Sequence, residues 1–521
     1  MDHRRRLQLL AVILLVVLGF APTATAAKLD ASHSGELPLG NPGLKETRTT
    51  KQVAPGITYT RIERGHPSEK DFYTVDVAFK SAKDAAKNIA KQLKSDGYDP
   101  RLIKDSERAP DDPMSGPSGY LVRTGSFSTE TGANTLKTRL EADGYTDLRV
   151  VYTGEDGGKT TGPWVVHVLK IDPAHYSGTL KPELATEIVP GREKLTSISS
   201  RTHSLAAING GYFVIGDSDG TPGDLAGISM LDGALVSEAV DGRTDLVLPK
   251  GDGKGADIAT LSDNLSATAS DGAAREVDGL NRKPGLIRAC GGVGGDQPTE
   301  KPKHDFTCTD PGELIQFTSI FGANTEPGDG AEAVLDSSGK VTELRESRGG
   351  PIPSDGSVLS GTGEGADWIR ANAKPGATVR VAKNISADGA PLTGKTGIVN
   401  GGPRLLNGGS PDITAYKEGF VYPEDPEFYY RFGIRRNPRT IAGVTPGGDL
   451  LLVAVDGRKP GYSVGASFQE EAGIMEALGA KEALNLDGGG STTMTLGKQL
   501  ITRPSDTTGE RPIGDAVVLL P

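Results

Sequence analysis

Aromatic residues make up only 5% of this 521-residue sequence, cysteine occurs twice and histidine seven times. Two cysteines cannot build a cysteine-rich scaffold, and with only His304 nearby they make a poor zinc site. The sparse histidines form no cluster suited to a transition metal. Positive charge is short too: 57 Lys and Arg against 68 Asp and Glu give a net charge of −11, which argues against nucleic acid or an anionic membrane surface as partner. Beyond residues 7–20 no run is apolar enough to span a bilayer. Hydrophobic residues reach 36% while glycine numbers 71, a balance that favours turns and loops over a helical bundle.

The amino terminus carries an export signal. His3-Arg4-Arg5-Arg6 is basic, residues 7–20 are apolar and Ala24-Thr25-Ala26 offers a small-residue cleavage site, which predicts a signal peptide over 1–26. The mature chain is then expected to be secreted, with no stable membrane insertion after cleavage. Outside the cell the isolated pair Cys290 and Cys308 is expected to form a disulfide.

One stretch organises the rest. Leu484-Asn485-Leu486-Asp487-Gly488-Gly489-Gly490-Ser491-Thr492-Thr493-Met494 runs from an apolar strand to a carboxylate, three glycines and three hydroxyls. Glycines let a ligand approach the backbone closely. Upstream, residues 450–455 form a continuous apolar run ending in Asp456-Gly457-Arg458. Ser467-Phe468-Gln469-Glu470 has the spacing of a capping box. Phe468, Ala472, Met475 and Leu478 follow at helical spacing, with Gly479 as the closing residue. Strand, helix, strand predicts parallel strands joined by a right-handed crossover. Asp456 and Asp487 would then leave the sheet at its ligand-binding carboxyl edge.

Two further apolar runs end alike, in Asn209-Gly210-Gly211 and Asn400-Gly401-Gly402. A single copy would read as an Asn-Gly hairpin; three point to loops converging on one pocket. Arg435-Arg436-Asn437-Pro438-Arg439-Thr440 precedes a strand and suits phosphate or carboxylate recognition. Asp217, Asp219 and Asp224 could gather oxygens around calcium, but without the terminal glutamate of an EF-hand they read rather as a solvated acidic loop; no cofactor is required, and a divalent cation, calcium or magnesium, is left open for the chain. Gly389 to Thr396 matches a phosphate-loop pattern, but Gly397-Ile398-Val399-Asn400-Gly401-Gly402-Pro403 cannot supply the helix such a loop opens.

Residues 70–153 hold an internal repeat. Tyr73 and Tyr120, Leu93 and Leu140, and Gly97 and Gly144 are each separated by 47 positions, and each copy reads strand, helix, Gly-Tyr turn, strand. With Gly125-Ser126-Phe127 this segment resembles a SPOR (sporulation-related) domain, a resemblance that implies peptidoglycan as a partner through 70–153. Residues 57–62 and 164–172 both read as strands and are expected to pair around that insertion. The organisation anticipated is therefore a signal peptide at 1–26, a linker and first strand at 27–69, the SPOR-like repeat at 70–153 and a large mixed α/β, strand-rich domain at 154–521. His167, in mid-strand, reads as a packed histidine.

From residue 200 onward the blocks together resemble the phosphodiester glycosidase family. They are Ala207-Ile208-Asn209-Gly210-Gly211-Tyr212-Phe213, Val399-Asn400-Gly401-Gly402-Pro403, Asn437-Pro438-Arg439-Thr440, Val455-Asp456-Gly457-Arg458, the Asp487 stretch and Arg511-Pro512. The resemblance implies hydrolysis of a sugar-1-phosphodiester, such as one of GlcNAc, in a cell-wall or extracellular glycopolymer, with no cofactor required. Asp487 is then expected to be nucleophile or base, with Asp456 its partner. Arg439, Arg458 and the amides of Gly488, Gly489 and Gly490 would hold the phosphodiester beside Ser491 and Thr492. Asn209 and Asn400, with Gly210, Gly211 and Gly401, would meet sugar hydroxyls. The competing readings are a non-catalytic carbohydrate-binding protein of the cell wall and a metal-dependent phosphodiesterase.

Overall fold

The computed structural model describes residues 35–249, 255–290, 302–392 and 397–521. The signal peptide, the start of the linker and the last four positions of the phosphate-loop match lie outside them. The chain divides into two units: Met1–Glu36, of which only residues 35 and 36 are described, and Leu37–Pro521.

The larger unit is built on an eight-stranded sheet whose middle runs Ile57–Arg64, Trp164–Ile171, Leu450–Val455, Arg439–Val444, Glu482–Asn485. Both faces of its centre are covered. Leu451, Val453 and Val455 face the helix Phe468–Ala477, whereas Leu450, Leu452 and Ala454 face the strands Ala206–Asn209 and Asp515–Leu520 of a second sheet. Burial on both sides explains why that strand is a continuous apolar run rather than an alternating one.

The anticipated crossover forms. Ser467 caps the helix, accepting from the Glu470 amide at 3.2 Å while Glu470 accepts from the Ser467 amide at 3.0 Å. Gly479 takes the left-handed conformation, φ 83°, that ends it. Leu450–Val455 and Glu482–Asn485 both pair antiparallel with Arg439–Val444, so they run parallel to each other with that strand between them. Asp456 and Asp487 thus follow strands that end on the same sheet edge.

Ile57–Arg64 and Trp164–Ile171 pair in antiparallel register from Ile57 opposite Ile171 to Arg64 opposite Trp164. Between them lie two strand-helix-strand copies sharing one four-stranded sheet. The copies interlock through their turns: Tyr98 donates to Asp143 at 2.5 Å and Tyr145 to Asp96 at 2.7 Å, each pair the 47-residue image of the other. The insert has its own core of Val75, Val77, Ala86, Leu93, Val122 and Leu140. It is also docked on the larger domain. Past a bulge between Asp76 and Ala78, Phe79 stacks on Tyr430 at 5.1 Å, and Asp156 bridges Arg123 and Arg435 at 2.5 Å each.

The cysteines pair, Cys290 to Cys308, with Cα atoms 5.8 Å apart. Their segment forms the small hairpin of Leu286–Arg288 with Thr307–Thr309. Gly397–Val399 is a strand and not a helix, as expected of a chance phosphate-loop match.

Candidate active site

The three glycine-paired loops meet, and they hold one another by backbone-directed hydrogen bonds. Asn209 donates to the Asp487 carbonyl at 2.7 Å and accepts from Thr440 Oγ1 at 2.8 Å and the Thr493 amide at 3.1 Å. Asn400 embraces Tyr212, accepting from its amide at 2.8 Å and donating to its carbonyl at 3.2 Å. Asn485 donates to Tyr212 Oη at 2.6 Å and the Gly402 carbonyl at 3.0 Å. Gly210, Gly211 and Gly401 permit this closeness: a Cβ on Gly211 would lie 2.3 Å from the Asn400 carbonyl.

These contacts correct the roles expected of several residues. Asn209 and Asn400 are buried and spend their amides on the protein, so they shape the site and do not meet sugar hydroxyls. Arg439 is 2% exposed, donates to Ala466 and Phe432 carbonyls, pairs with Glu471 at 2.8 Å and packs over Phe468. It is a buried positive charge that still lines the cleft, with Nε and Nη2 spent on the protein. Asp456 is buried and is not among the residues that line the cleft with Asp487. Its carboxylate accepts from His167 at 3.0 Å, Tyr462 at 2.9 Å and the Arg503 amide at 2.8 Å, and His167 in turn meets Tyr59 at 2.8 Å, leaving it an internal support. The Gly489 amide donates to the Pro438 carbonyl, and the Gly488 amide leans on the Asp487 carboxylate. Thr492 is buried against Thr440. Ser491, also buried, lies beside Asp487 without a well-formed hydrogen bond.

Asp487 itself opens into a cleft of about 560 Å³. Burial pushes its carboxyl up to about 6, against the pull of Ser491, Arg511 and the Gly488 amide, with Asp305 adding repulsion. One wall is aromatic: Tyr212, Phe213, His304, Phe428 and Phe432. His304 packs tilted against Tyr212 at 4.2 Å and stacks on Phe420 at 4.7 Å, and burial holds it well below the usual histidine range, hence neutral. The other side is cationic. Arg511 is held bidentately by Asp506 and lies flat on Gly490, where a Cβ would sit 2.1 Å from its Nη2. Arg458, at φ 53°, is steered by Asn437 Oδ1 at 2.8 Å and is in no salt bridge among the described residues. Arg458 is exposed on the cleft, as is Arg149, so either guanidinium can receive an anion, and Arg458 is the one beside Gly489.

Several of these groups escaped the sequence reading. Asp305 and His304 sit in the disulfide-bridged segment, with nothing local to mark them. Arg149 comes from the inserted repeat. Arg511, Asn437 and Tyr212 stood inside the quoted motif blocks and could have been singled out there. Asp219 is occupied by Arg288 at 3.1 Å and Thr307 at 2.7 Å, and no group of three or more acidic, histidine or cysteine side chains suited to a metal occurs among the described residues.

Residues 329–520 match the model of the phosphodiester glycosidase family. The chain carries a phosphodiester glycosidase domain. It also belongs to one family with a Burkholderia pseudomallei protein named as exported, at 33% identity and a TM-score of 0.85 over 93% of this chain and 98% of that one. A hypothetical protein from Synechocystis shares the fold at 18% identity and a TM-score of 0.54, over 92% of this chain and 81% of that one. The catalytic domain of zebrafish N-acetylglucosamine-1-phosphodiester α-N-acetylglucosaminidase, auto-inhibited by its pro-peptide, is matched at 15% identity and a TM-score of 0.33, over 69% of this chain and 78% of that one. No curated protein matches the chain. Within the phosphodiester glycosidase domain fall Asp487, Arg439, Arg458 and Arg511, whereas Arg149, Tyr212 and Asp305 enter the cleft from the preceding sequence.

Proposed function

We propose that the protein is an exported glycosidase that hydrolyses sugar-1-phosphodiester bonds, of the GlcNAc-1-phosphodiester type, in a cell-wall or extracellular glycopolymer. The observation that carries this reading is the shared cleft of Asp487, an aromatic wall and the guanidinium of Arg458, which forms no salt bridge among the described residues. Rings suit the apolar face of a sugar, and a planar guanidinium suits phosphate. Attack at the anomeric carbon breaks its bond to the phosphate oxygen, and the phosphate departs as an already weak base. The protein then has to supply a carboxylate for the oxocarbenium-like transition state and positive charge for the leaving group. Asp487, ionised above about pH 6, takes the first role as nucleophile or as base for water. Arg458 takes the second, with Arg439 and Arg511 adding to the positive field from the same cleft.

The repeat at 70–153 would supply affinity for peptidoglycan, which its two interlocked strand-helix-strand copies and their Gly-Tyr turns support. Hydrolysis of a GlcNAc-1-phosphodiester in ¹⁸O-water tests the chemistry. Label in the sugar is the expected result; label in the phosphate would mean P–O cleavage and overturn the glycosidase reading. No turnover of any such ester would leave the carbohydrate-binding alternative.

A further inference from the structure

The cleft does not stop at Arg458. Arg149, Arg431, Asn437 and Arg458 line both the Asp487 cleft and a second hollow of about 570 Å³. One wall of that hollow is the strand Arg149–Tyr152 of the inserted repeat, the last strand of its sheet, which pairs on one side only. The opposite wall comes from the phosphodiester glycosidase domain around Arg435, Arg436 and Pro460.

The walls are fixed relative to each other by the Asp156 bridge and the Phe79–Tyr430 stack described above. Charge along the hollow is uneven. Arg435 and Arg436 are spent on Asp156 and Glu470. Glu155, at the base, is buried, and that burial pushes its carboxyl up to about 7. Asp76, also in the lining, accepts from Arg123 at 2.8 Å, and Glu130 is an exposed lining carboxylate. Against it stand Lys137, whose one ion pair among the described residues is a loose 3.6 Å contact with Glu141, and Arg149 and Arg458, which form no salt bridge among the described residues.

We propose that this second hollow is a subsite for the adjoining phosphodiester-linked unit of a polymeric substrate, so that the inserted repeat is one wall of the substrate groove and not a remote tether. The proposal rests on the glycosidase reading of the Asp487 cleft, which fixes the end of the polymer that is cut. Polymer lying across Arg458 continues past Arg149 along the open strand edge, where backbone groups of residues 149–152 and the Lys137 ammonium meet it.

The test compares two probes on the full mature chain carrying Asp487→Asn to prevent turnover. One is a labelled oligomer of phosphodiester-linked N-acetylglucosamine units; the other is the single-unit methyl phosphodiester. The oligomer is expected to bind about tenfold more tightly, the worth of one or two charge-assisted hydrogen bonds. Lys137→Glu with Arg149→Glu should bring the ratio of the two affinities towards one. Added salt should erode the same advantage in the chain without those two changes, since exposed charge contacts are screened. Equal affinities before mutation, or an advantage that survives both the mutations and the salt, would overturn the subsite. The salt measurement decides the matter should the double variant fail to fold. Hydrolysis of the single unit by the unaltered chain is scored separately: an oligomer advantage without hydrolysis defeats the Asp487 chemistry alone, and hydrolysis without an oligomer advantage defeats the subsite alone.

Discussion

Asn209 donates its side-chain amide to the backbone carbonyl of Asp487 at 2.7 Å, across 278 positions of sequence. The same side chain accepts from Thr440 and from the Thr493 amide, so one buried residue sets where the carboxylate-bearing loop begins. Asn209→Ala should strand three polar groups. Each unsatisfied group costs about 1–3 kcal/mol, so a clear fall in the unfolding midpoint is expected, with turnover reduced beyond what the unfolded fraction explains. Thermal denaturation alongside single-turnover kinetics checks both parts.

Asp487→Asn should keep the fold and abolish nearly all turnover on a sugar-1-phosphodiester. For the unaltered chain, kcat/KM should rise with pH through about 6, where burial places this carboxyl, because the ionised form does the work. A flat profile between pH 5 and 7, or near-normal rates for the asparagine variant, would remove Asp487 from the chemistry.

Arg458→Lys keeps a positive charge but loses the planar fork. About tenfold or more in KM should go with it, as expected for one or two hydrogen bonds to a charged group, while the unfolding temperature stays close to that of the parent. Arg439→Lys should do the reverse. It breaks carbonyl contacts and the Glu471 pair in the core, so stability falls first.

Asp515 lies under Gly210, where burial pushes it up to about 7; the Gly211 amide opposes the shift and Asp487 adds to it. An unfolded aspartate titrates near 3.9, so the folded state binds the proton more tightly. The resulting stability is fully present below about pH 4 and is lost as pH rises through about 7. Melting temperatures should therefore decline from pH 5 to 8, and Asp515→Asn should flatten that decline.

Reducing the Cys290–Cys308 bridge removes a loop constraint worth about 3 kcal/mol. His304 and Asp305 line the cleft from inside that loop. Reductant, or Cys308→Ser, should thus raise KM at temperatures well below global unfolding, which paired kinetic and calorimetric measurements can resolve.

How much of this could be read beforehand depended on whether the signal was local. The crossover helix carried its own start and stop residues at Ser467, Glu470 and Gly479, and the repeat announced itself through the spacing of its tyrosines and glycines. The meeting of the three glycine-paired loops followed from their similarity. What each polar side chain does there did not, because Asn209, Asn400 and Asp456 find partners far away in sequence, and Arg439 is taken up by Phe432, Ala466 and Glu471 on either side of its strand. A buried polar group must be satisfied by something, and one-dimensional order does not say whether that is a ligand or the protein. Arg149 and Asp305 were invisible for the complementary reason: they arrive at the cleft from an insertion and a disulfide loop whose composition says nothing about destination.

Arg64 and Trp164 face each other across paired strands, so the inserted repeat leaves and re-enters the larger domain at neighbouring points. A body hung from two adjacent struts resists twisting far better than one trailing from a single chain end. A load on the repeat therefore passes through both strands into the central sheet and not through a single chain end.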